Sequence, residues 1–122
     1  MKKILIIKHG SLGDIIFALP AFESIKKRFF DARIDILTEE KYINFLNDSK
    51  IFDNFYVNNR NESNIKSIFI LFKLLVNKYE LIIDLQNSQR TTFYNLFFRI
   101  FNFSKISSSR PFAHYRYKIP PQ

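Results

Sequence analysis

Hydrophobic positions along the chain follow two periods that alternate. Ile4-Leu5-Ile6-Ile7 is a continuous apolar run that stops at Lys8-His9-Gly10, as expected of a strand buried on both faces. From Ser11 to Arg28 the spacing turns helical, with Ile15, Ile16, Leu19, Phe22, Ile25 and Phe29 on one side. Ser11 followed by Asp14 three positions on predicts a capping box, with Asp in the place more often held by Glu or Gln. Pro20 lies inside this pattern and predicts a kink or bend. Lys26-Lys27-Arg28 complements the negative pole of the helix. Beyond it the pattern predicts a strand at Arg33–Leu37, a short helix at Glu39–Leu46 and a third, edge strand at Phe52–Val57. A polar loop at Asn58–Asn64 leads to a helix at Ile65–Asn77, whose Ile68, Phe69, Leu71, Phe72 and Leu75 give it a broad apolar face. Glu80–Leu85 reads as another buried strand, Ser88–Phe101 as an aromatic-rich helix and Lys105–Ser109 as the start of a fifth strand. Arg110–Gln122 has no clear period.

Strands alternating with helices form a βαβ series, and right-handed crossovers make that a Rossmann-like, doubly wound parallel sheet of the α/β class. Ligands of such sheets sit at the carboxyl ends of the strands, where strand order reverses. With the first and fourth strands adjacent, two loops face one crevice: Lys8-His9-Gly10-Ser11-Leu12-Gly13-Asp14 and Asp84-Leu85-Gln86-Asn87-Ser88-Gln89-Arg90. Neither a Walker A loop nor a G-x-G-x-x-G is present; the spacing is Gly10-Ser11-Leu12-Gly13.

Composition changes this picture at three points. A chain of 122 residues is first taken as one domain, at roughly 100–200 residues per domain. The absence of cysteine excludes a disulfide framework and thiolate metal sites, and two histidines, His9 and His114, argue against a histidine metal centre. No apolar run has the length of a membrane span or of a signal-peptide core, so the expected compartment is the cytoplasm. Glycine occurs twice only, at Gly10 and Gly13, which points to backbone geometry that no other residue supplies. The net charge of +8 is uneven, because residues 85–122 contain six Lys and Arg and no acid. That third of the chain is either a solvated basic face or a surface for phosphate, nucleic acid or anionic lipid.

Among the crevice residues, Asp14 lies at a helix N-terminus, where free N–H groups favour a carboxylate. It is a helix cap, or a base for a substrate hydroxyl. Lys8 is a strand-end charge or a ligand for an anion, and His9 a second base or a satisfied polar residue. Asp84 caps the following loop. Gln86 and Arg90 suit a polyol or a phosphate, and Arg90 is unfavourably placed for the helix dipole unless it has a ligand. The aromatic helix from Thr92 to Phe101 is apolar nearly all round. It packs on the sheet, or it rests on an anionic membrane beside Arg99, Lys105, Arg110, Arg116 and Lys118.

The stretch Ile6-Ile7-Lys8-His9-Gly10-Ser11-Leu12-Gly13-Asp14-Ile15-Ile16 with Leu19-Pro20-Ala21 resembles the N-terminal signature of glycosyltransferase family 9, the ADP-heptose:lipopolysaccharide heptosyltransferases and their relatives. Asp31-Ala32-Arg33-Ile34-Asp35 continues the likeness, as does Tyr79-Glu80-Leu81-Ile82-Ile83-Asp84-Leu85-Gln86 with Arg90; Asn87 stands where the family has glycine. The resemblance covers residues 1–110 and leaves 111–122 as an unmatched tail. It implies a GT-B architecture, with an N-terminal acceptor domain that is incomplete here and a C-terminal donor domain that is absent. It implies inverting transfer from a nucleotide sugar, ADP-heptose, to a lipopolysaccharide core acceptor, with no cofactor and no metal. Asp14 is then the general base. Lys8, His9, Gly10, Ser11, Gly13, Gln86 and Arg90 surround the acceptor. The isolated chain is expected to be inactive, because base, acceptor and donor must be held together. Contact with the inner face of the inner membrane is expected and nucleic acid is not. The competing reading is a non-enzymatic basic module for nucleic acid or anionic lipid.

Overall fold

A computed structural model of the chain describes residues 2–59, 64–86, 92, 94–98, 105–108 and 115–116. Among the described residues six strands form one parallel sheet in the order β3-β2-β1-β4-β5-β6. They are β1 (Lys3–Ile7), β2 (Arg33–Thr38), β3 (Asn54–Val57), β4 (Leu81–Asp84), β5 (Lys105–Ser108) and β6 (Tyr115–Arg116). Between them lie α1 (Leu12–Arg28), a 3-10 turn (Glu40–Tyr42) that runs into α2 (Ile43–Asp48), and α3 (Asn64–Val76). Residues 92 and 94–98 are also helical. The order reverses between β1 and β4, as predicted, so the crevice opens between their carboxyl ends.

The continuous apolar runs are explained by a sheet covered on both faces. Alternate residues of one strand enter different cores: Ile4 and Ile6 pack with Ile34, Ile36, Ile15 and Phe22 on the α1 side. Leu5 and Ile7 pack with Leu37, Leu71, Leu74, Ile82 and Phe98 on the α3 side. The aromatic helix is resolved in favour of burial at its described positions, since Tyr94, Asn95, Phe97 and Phe98 are all buried. Among the described residues no helix is long and apolar enough to cross a membrane.

The structure departs from the sequence pattern at several points: the short helix predicted at Glu39–Leu46 is a 3-10 turn at Glu40–Tyr42 followed by α2 at Ile43–Asp48. Strand β3 begins at Asn54 rather than Phe52, because the Asp53 carboxylate takes the Ile34 N–H at 2.8 Å in place of a ladder carbonyl. Phe52 then turns into the α1-side core, edge-on to Phe22 at 5.2 Å. Helix α1 continues past Pro20 to Arg28. A short strand, β6, pairs with β5 inside the stretch that has no clear period.

On the α3 side of β2, the fully buried Asp35 carboxylate gathers three donors. Arg33 reaches it through Nε and Nη2, the latter at 2.8 Å, Tyr79 OH at 2.6 Å and Asn54 Nδ2 at 3.0 Å. Burial, and then the bond to Asp35, push the Tyr79 phenol above its ordinary value. Above about pH 10 the unfolded chain gives up this proton while the folded chain keeps it, so stability falls as the pH climbs. A Tyr79→Phe variant is expected to lose this part of the alkaline decline. Urea midpoints measured from about pH 9 upward check it; equal pH slopes in both proteins would contradict the assignment.

Candidate functional site

Strand β1 ends between two neighbours that hold its exit rigidly. Lys8 N donates to Leu37 O on one side, and Leu85 N donates to Ile7 O on the other. The chain then turns at Gly10, whose φ of +96° lies in the region that favours glycine. The Gly10 carbonyl accepts a hydrogen bond from the buried Tyr42 hydroxyl, which fixes the turn from the side of β2.

The predicted capping box forms at the start of α1. Asp14 N donates to Ser11 Oγ at 3.3 Å, and Ser11 N donates to Asp14 Oδ2 at 3.2 Å. Aspartate suffices here because the tight turn at Gly10 brings the Ser11 N–H close to the first helical turn. Asp14 is thereby held at the helix N-terminus, exposed, on the wall of a cleft of about 300 Å³. Lys8, Phe17, Ala18, Ala21 and Leu85 complete the lining.

Lys8 crosses the switch point. It is half-buried, and its Nζ donates to the Leu85 carbonyl at 3.2 Å. Burial lowers its pKa from the ordinary value, against the opposing pull of Asp14 and Asp84. The second loop is tied to the first by Gln86, whose Oε1 accepts from His9 N at 3.0 Å while its own N–H donates to Asp84 Oδ1 at 2.9 Å. A carboxylate and an ammonium thus share one concave surface at the positive end of a helix. Such a surface can take a proton from a hydroxyl and hold an anionic group.

Lys8, Gly10, Ser11, Gly13, Asp14 and Gln86 lie on the two loops that follow β1 and β4 or in the first turn of α1, and of these Lys8 and Asp14 line the cleft. His9 is different: its ring is 2% exposed and points into the α3-side core, where Nε2 lies 3.4 Å from Tyr94 OH. It contributes its backbone to the junction, and its ring belongs to a buried polar group with Tyr94, Asn58 and Ser67. The side chain of a residue just after a strand follows the strand's alternation, and Ile7 and His9 share the α3 side. Arg90 lies outside the described residues. Gly13 has ordinary helical surroundings, and a Cβ there would meet only Ser11 Oγ at 3.8 Å, so backbone geometry does not demand glycine at this position.

Two contributors were not signalled by the sequence. Tyr42 reads as one more aromatic in a short helix, and only the fold shows its hydroxyl under the Gly10 turn. Phe17 breaks the apolar period of α1 and stands 86% exposed on the cleft wall. Among the described residues, no group of three or more His, Cys, Asp or Glu side chains is gathered to hold a metal ion.

Comparison with known proteins accords with this fold. The chain is 31% identical over 115 residues to lipopolysaccharide heptosyltransferase 1 of Campylobacter coli, a match covering 92% of this chain and 34% of that protein. Among solved structures, a glycosyl transferase family 9 protein of Veillonella parvula superposes with a TM-score of 0.78 at 20% identity, over 98% of this chain and 36% of that one. The Escherichia coli heptosyltransferase WaaC with ADP-2-deoxy-2-fluoro heptose superposes with a TM-score of 0.75 at 17% identity, over 98% of this chain and 43% of that one. No protein-family model matches the chain. The chain therefore spans about a third of the length of its curated relative. Its fold is heptosyltransferase-like, a doubly wound parallel sheet resembling the Rossmann-like N-terminal domain of GT-B glycosyltransferases.

Proposed function

We propose that this chain is the acceptor-side domain of a glycosyltransferase family 9 enzyme, which moves a sugar from a nucleotide-sugar donor, ADP-heptose, to a lipopolysaccharide core acceptor. The observation that carries this reading is the Asp14 carboxylate. The capping box and the Gly10 turn hold it on a cleft wall beside the half-buried Lys8. Likeness to the heptosyltransferases supports the same reading.

In this proposal Asp14 accepts the proton of the acceptor hydroxyl as that oxygen attacks the anomeric carbon of the donor sugar. The new glycosidic bond forms as the bond to the nucleotide diphosphate breaks, from the opposite face, with inversion. Lys8 holds an anionic group of the acceptor, and Gly10, Ser11 and Gly13 form the loop that carries Asp14 to the cleft. Gln86 keeps the two loops in register, and Arg90 extends the acceptor surface. The donor is held by a second domain, supplied by the rest of a longer protein. A lipid-linked acceptor places the reaction at the cytoplasmic face of the inner membrane.

Two assays test this. Titration of the purified chain with lipopolysaccharide core oligosaccharide is expected to saturate. Asp14→Ala is expected to weaken binding about tenfold, as the loss of a hydrogen bond to a charged group implies. Circular dichroism separates this from the roughly 1 kcal/mol that losing a cap costs the helix. Incubation of the 122-residue chain with ADP-heptose and the acceptor is expected to give no transfer, since proximity of all three components is required. DNA binding that is tight, strongly salt-dependent and stronger than core binding would replace this reading with the basic-module one.

A further inference from the structure

The cleft beside Asp14 has two unlike walls. Asp14 and Lys8 give it a carboxylate and an ammonium, while Phe17, Ala18, Ala21 and Leu85 are apolar. Helix geometry sets the four α1 residues in order. Ile15 and Phe22 share one line of the helix, the fully buried one. Ala18 lies about 60° from that line, Asp14 and Ala21 about 100–120° and Phe17 about 160°, all on the same side. On α1 the cleft floor is therefore built from two small side chains, and Phe17 is its outer lip. A helical side chain leans over the turn N-terminal to its own Cα, and for Phe17 that turn holds Gly13 and Asp14. A Cβ at Gly13 would meet only Ser11 Oγ, at 3.8 Å, so the turn under the ring offers the Asp14 carboxylate beside bare backbone. Single exposed phenylalanines are common on protein surfaces and ask for no ligand. This one is set apart by its place on the same cleft as Asp14 and Lys8. The other exposed apolar side chains in the first half of α1, Leu12 and Ile16, lie on the opposite side of the helix from Asp14.

We propose that Phe17 is the platform on which the acceptor sugar stacks, which makes it a specificity-determining residue of the cleft. The chemistry of a pyranose ring matches the two walls. Its hydroxyls project from the rim, where one of them meets Asp14, and its faces present C–H groups with partial positive charge. The face of an aromatic ring is negative and attracts such C–H groups, as it attracts cations. A cavity of about 300 Å³ is at the small end of ligand sites and takes one ring rather than a chain of them. An acyl chain would make no use of the Lys8 and Asp14 charges beside it. A pyranose with its C–H groups gathered on one face binds better here than an epimer whose axial hydroxyl interrupts that face. The hydroxyl would lose water against the ring without gaining a full hydrogen bond. This inference rests on the acceptor reading and names the group that reads the apolar face of the sugar in that site.

The test is a titration of the full chain with deacylated lipopolysaccharide core oligosaccharide, followed by NMR. Bound C–H resonances of one sugar residue are expected to move upfield in the ring current of Phe17. In the Phe17→Leu chain this shift is expected to vanish. That variant keeps an apolar side chain without a π face, and it is expected to weaken binding about fivefold, the worth of one aromatic contact. Phe17→Trp and Phe17→Tyr are expected to keep both the affinity and the shift. Thermal melts are expected to be unchanged in all three variants, because the side chain is exposed. Binding that is weakened by Asp14→Ala but indifferent to Phe17→Leu, with no upfield shift, overturns the platform and leaves the acceptor reading in place. A parent chain that does not bind the oligosaccharide overturns both. Equal weakening in all three Phe17 variants overturns the platform too, since the π face would then not matter. Binding of ADP alone that is lost with Phe17→Leu would assign the ring to a nucleobase and overturn the proposal in the same way.

Discussion

Replacing Asp35 by alanine is expected to lower the stability of the folded chain by about 3–5 kcal/mol, the range for removing one partner of a buried charged pair. Asp35 is fully buried and accepts from Arg33, Tyr79 and Asn54. The alanine variant leaves the Tyr79 hydroxyl and the Asn54 amide without that acceptor. Arg33 has an escape, since its side chain is 25% exposed and can turn to water. The lower end of the range is therefore the better expectation. Even about 3 kcal/mol is a large share of the roughly 5–15 kcal/mol by which domains are stable. It corresponds to a fall in Tm of roughly 10 °C for a domain of this size. Asp35→Asn is expected to cost less, because an amide oxygen still accepts from Tyr79. The double variant Asp35→Leu with Tyr79→Phe is expected to recover part of the loss, since it removes the orphaned hydroxyl together with the carboxylate. Urea unfolding of the three variants measures this. A loss under about 1 kcal/mol for Asp35→Ala would show that the cluster is solvated in practice and the assignment mistaken.

What the sequence displayed and what it concealed divide along a physical line. Interactions local in the chain were legible. The run Ile4–Ile7 announced a doubly covered strand, and Ser11 with Asp14 announced its own cap, because both depend on residues within one turn or one strand. The alternation of strands and helices carried the sheet order, and with it the meeting of the two loops at the switch point. Contacts that cross the sheet were not legible. Asp35 looks like the polar member of an alternating strand, yet its partners come from its own strand, from β3 and from Tyr79, two residues before β4. Tyr42 supports the Gly10 turn from 32 positions away. His9 drew attention as a rare chemical group, but the parity of the strand turned its ring inward against Tyr94. The two residues of β6 are too few for any period to show.

Gly10→Ala and Gly13→Ala are expected to diverge, although the two glycines stand three positions apart in one loop. At Gly10 the backbone has φ +96°, and an added Cβ would lie 2.9 Å from Asp14 Oδ2 and 3.2 Å from Asp14 Cβ. Neither atom yields cheaply. Oδ2 is the acceptor that holds the Ser11 N–H, and Cβ is fixed by the helix backbone. The turn cannot relax in the other direction, because Tyr42 holds the Gly10 carbonyl. The left-handed conformation costs an L-residue roughly 1–2 kcal/mol, and losing the cap adds about 1 kcal/mol. Gly10→Ala is therefore expected to destabilise the chain by about 2–3 kcal/mol and to move the Asp14 carboxylate off the cleft wall. Gly13 sits in the first turn of α1 with only Ser11 Oγ within reach of a Cβ, at 3.8 Å. Alanine there is expected to leave stability unchanged or to raise it by up to about 1 kcal/mol, from helix propensity alone. In the proposed acceptor reading, a methyl group at this exposed position meets the bound acceptor. Gly13→Ala is thus expected to weaken core-oligosaccharide binding without weakening the fold. Thermal melts paired with oligosaccharide titrations read the two effects separately. A Gly10→Ala protein as stable as the parent would refute the strained turn, and a Gly13→Ala protein that binds as the parent does would remove Gly13 from the acceptor surface.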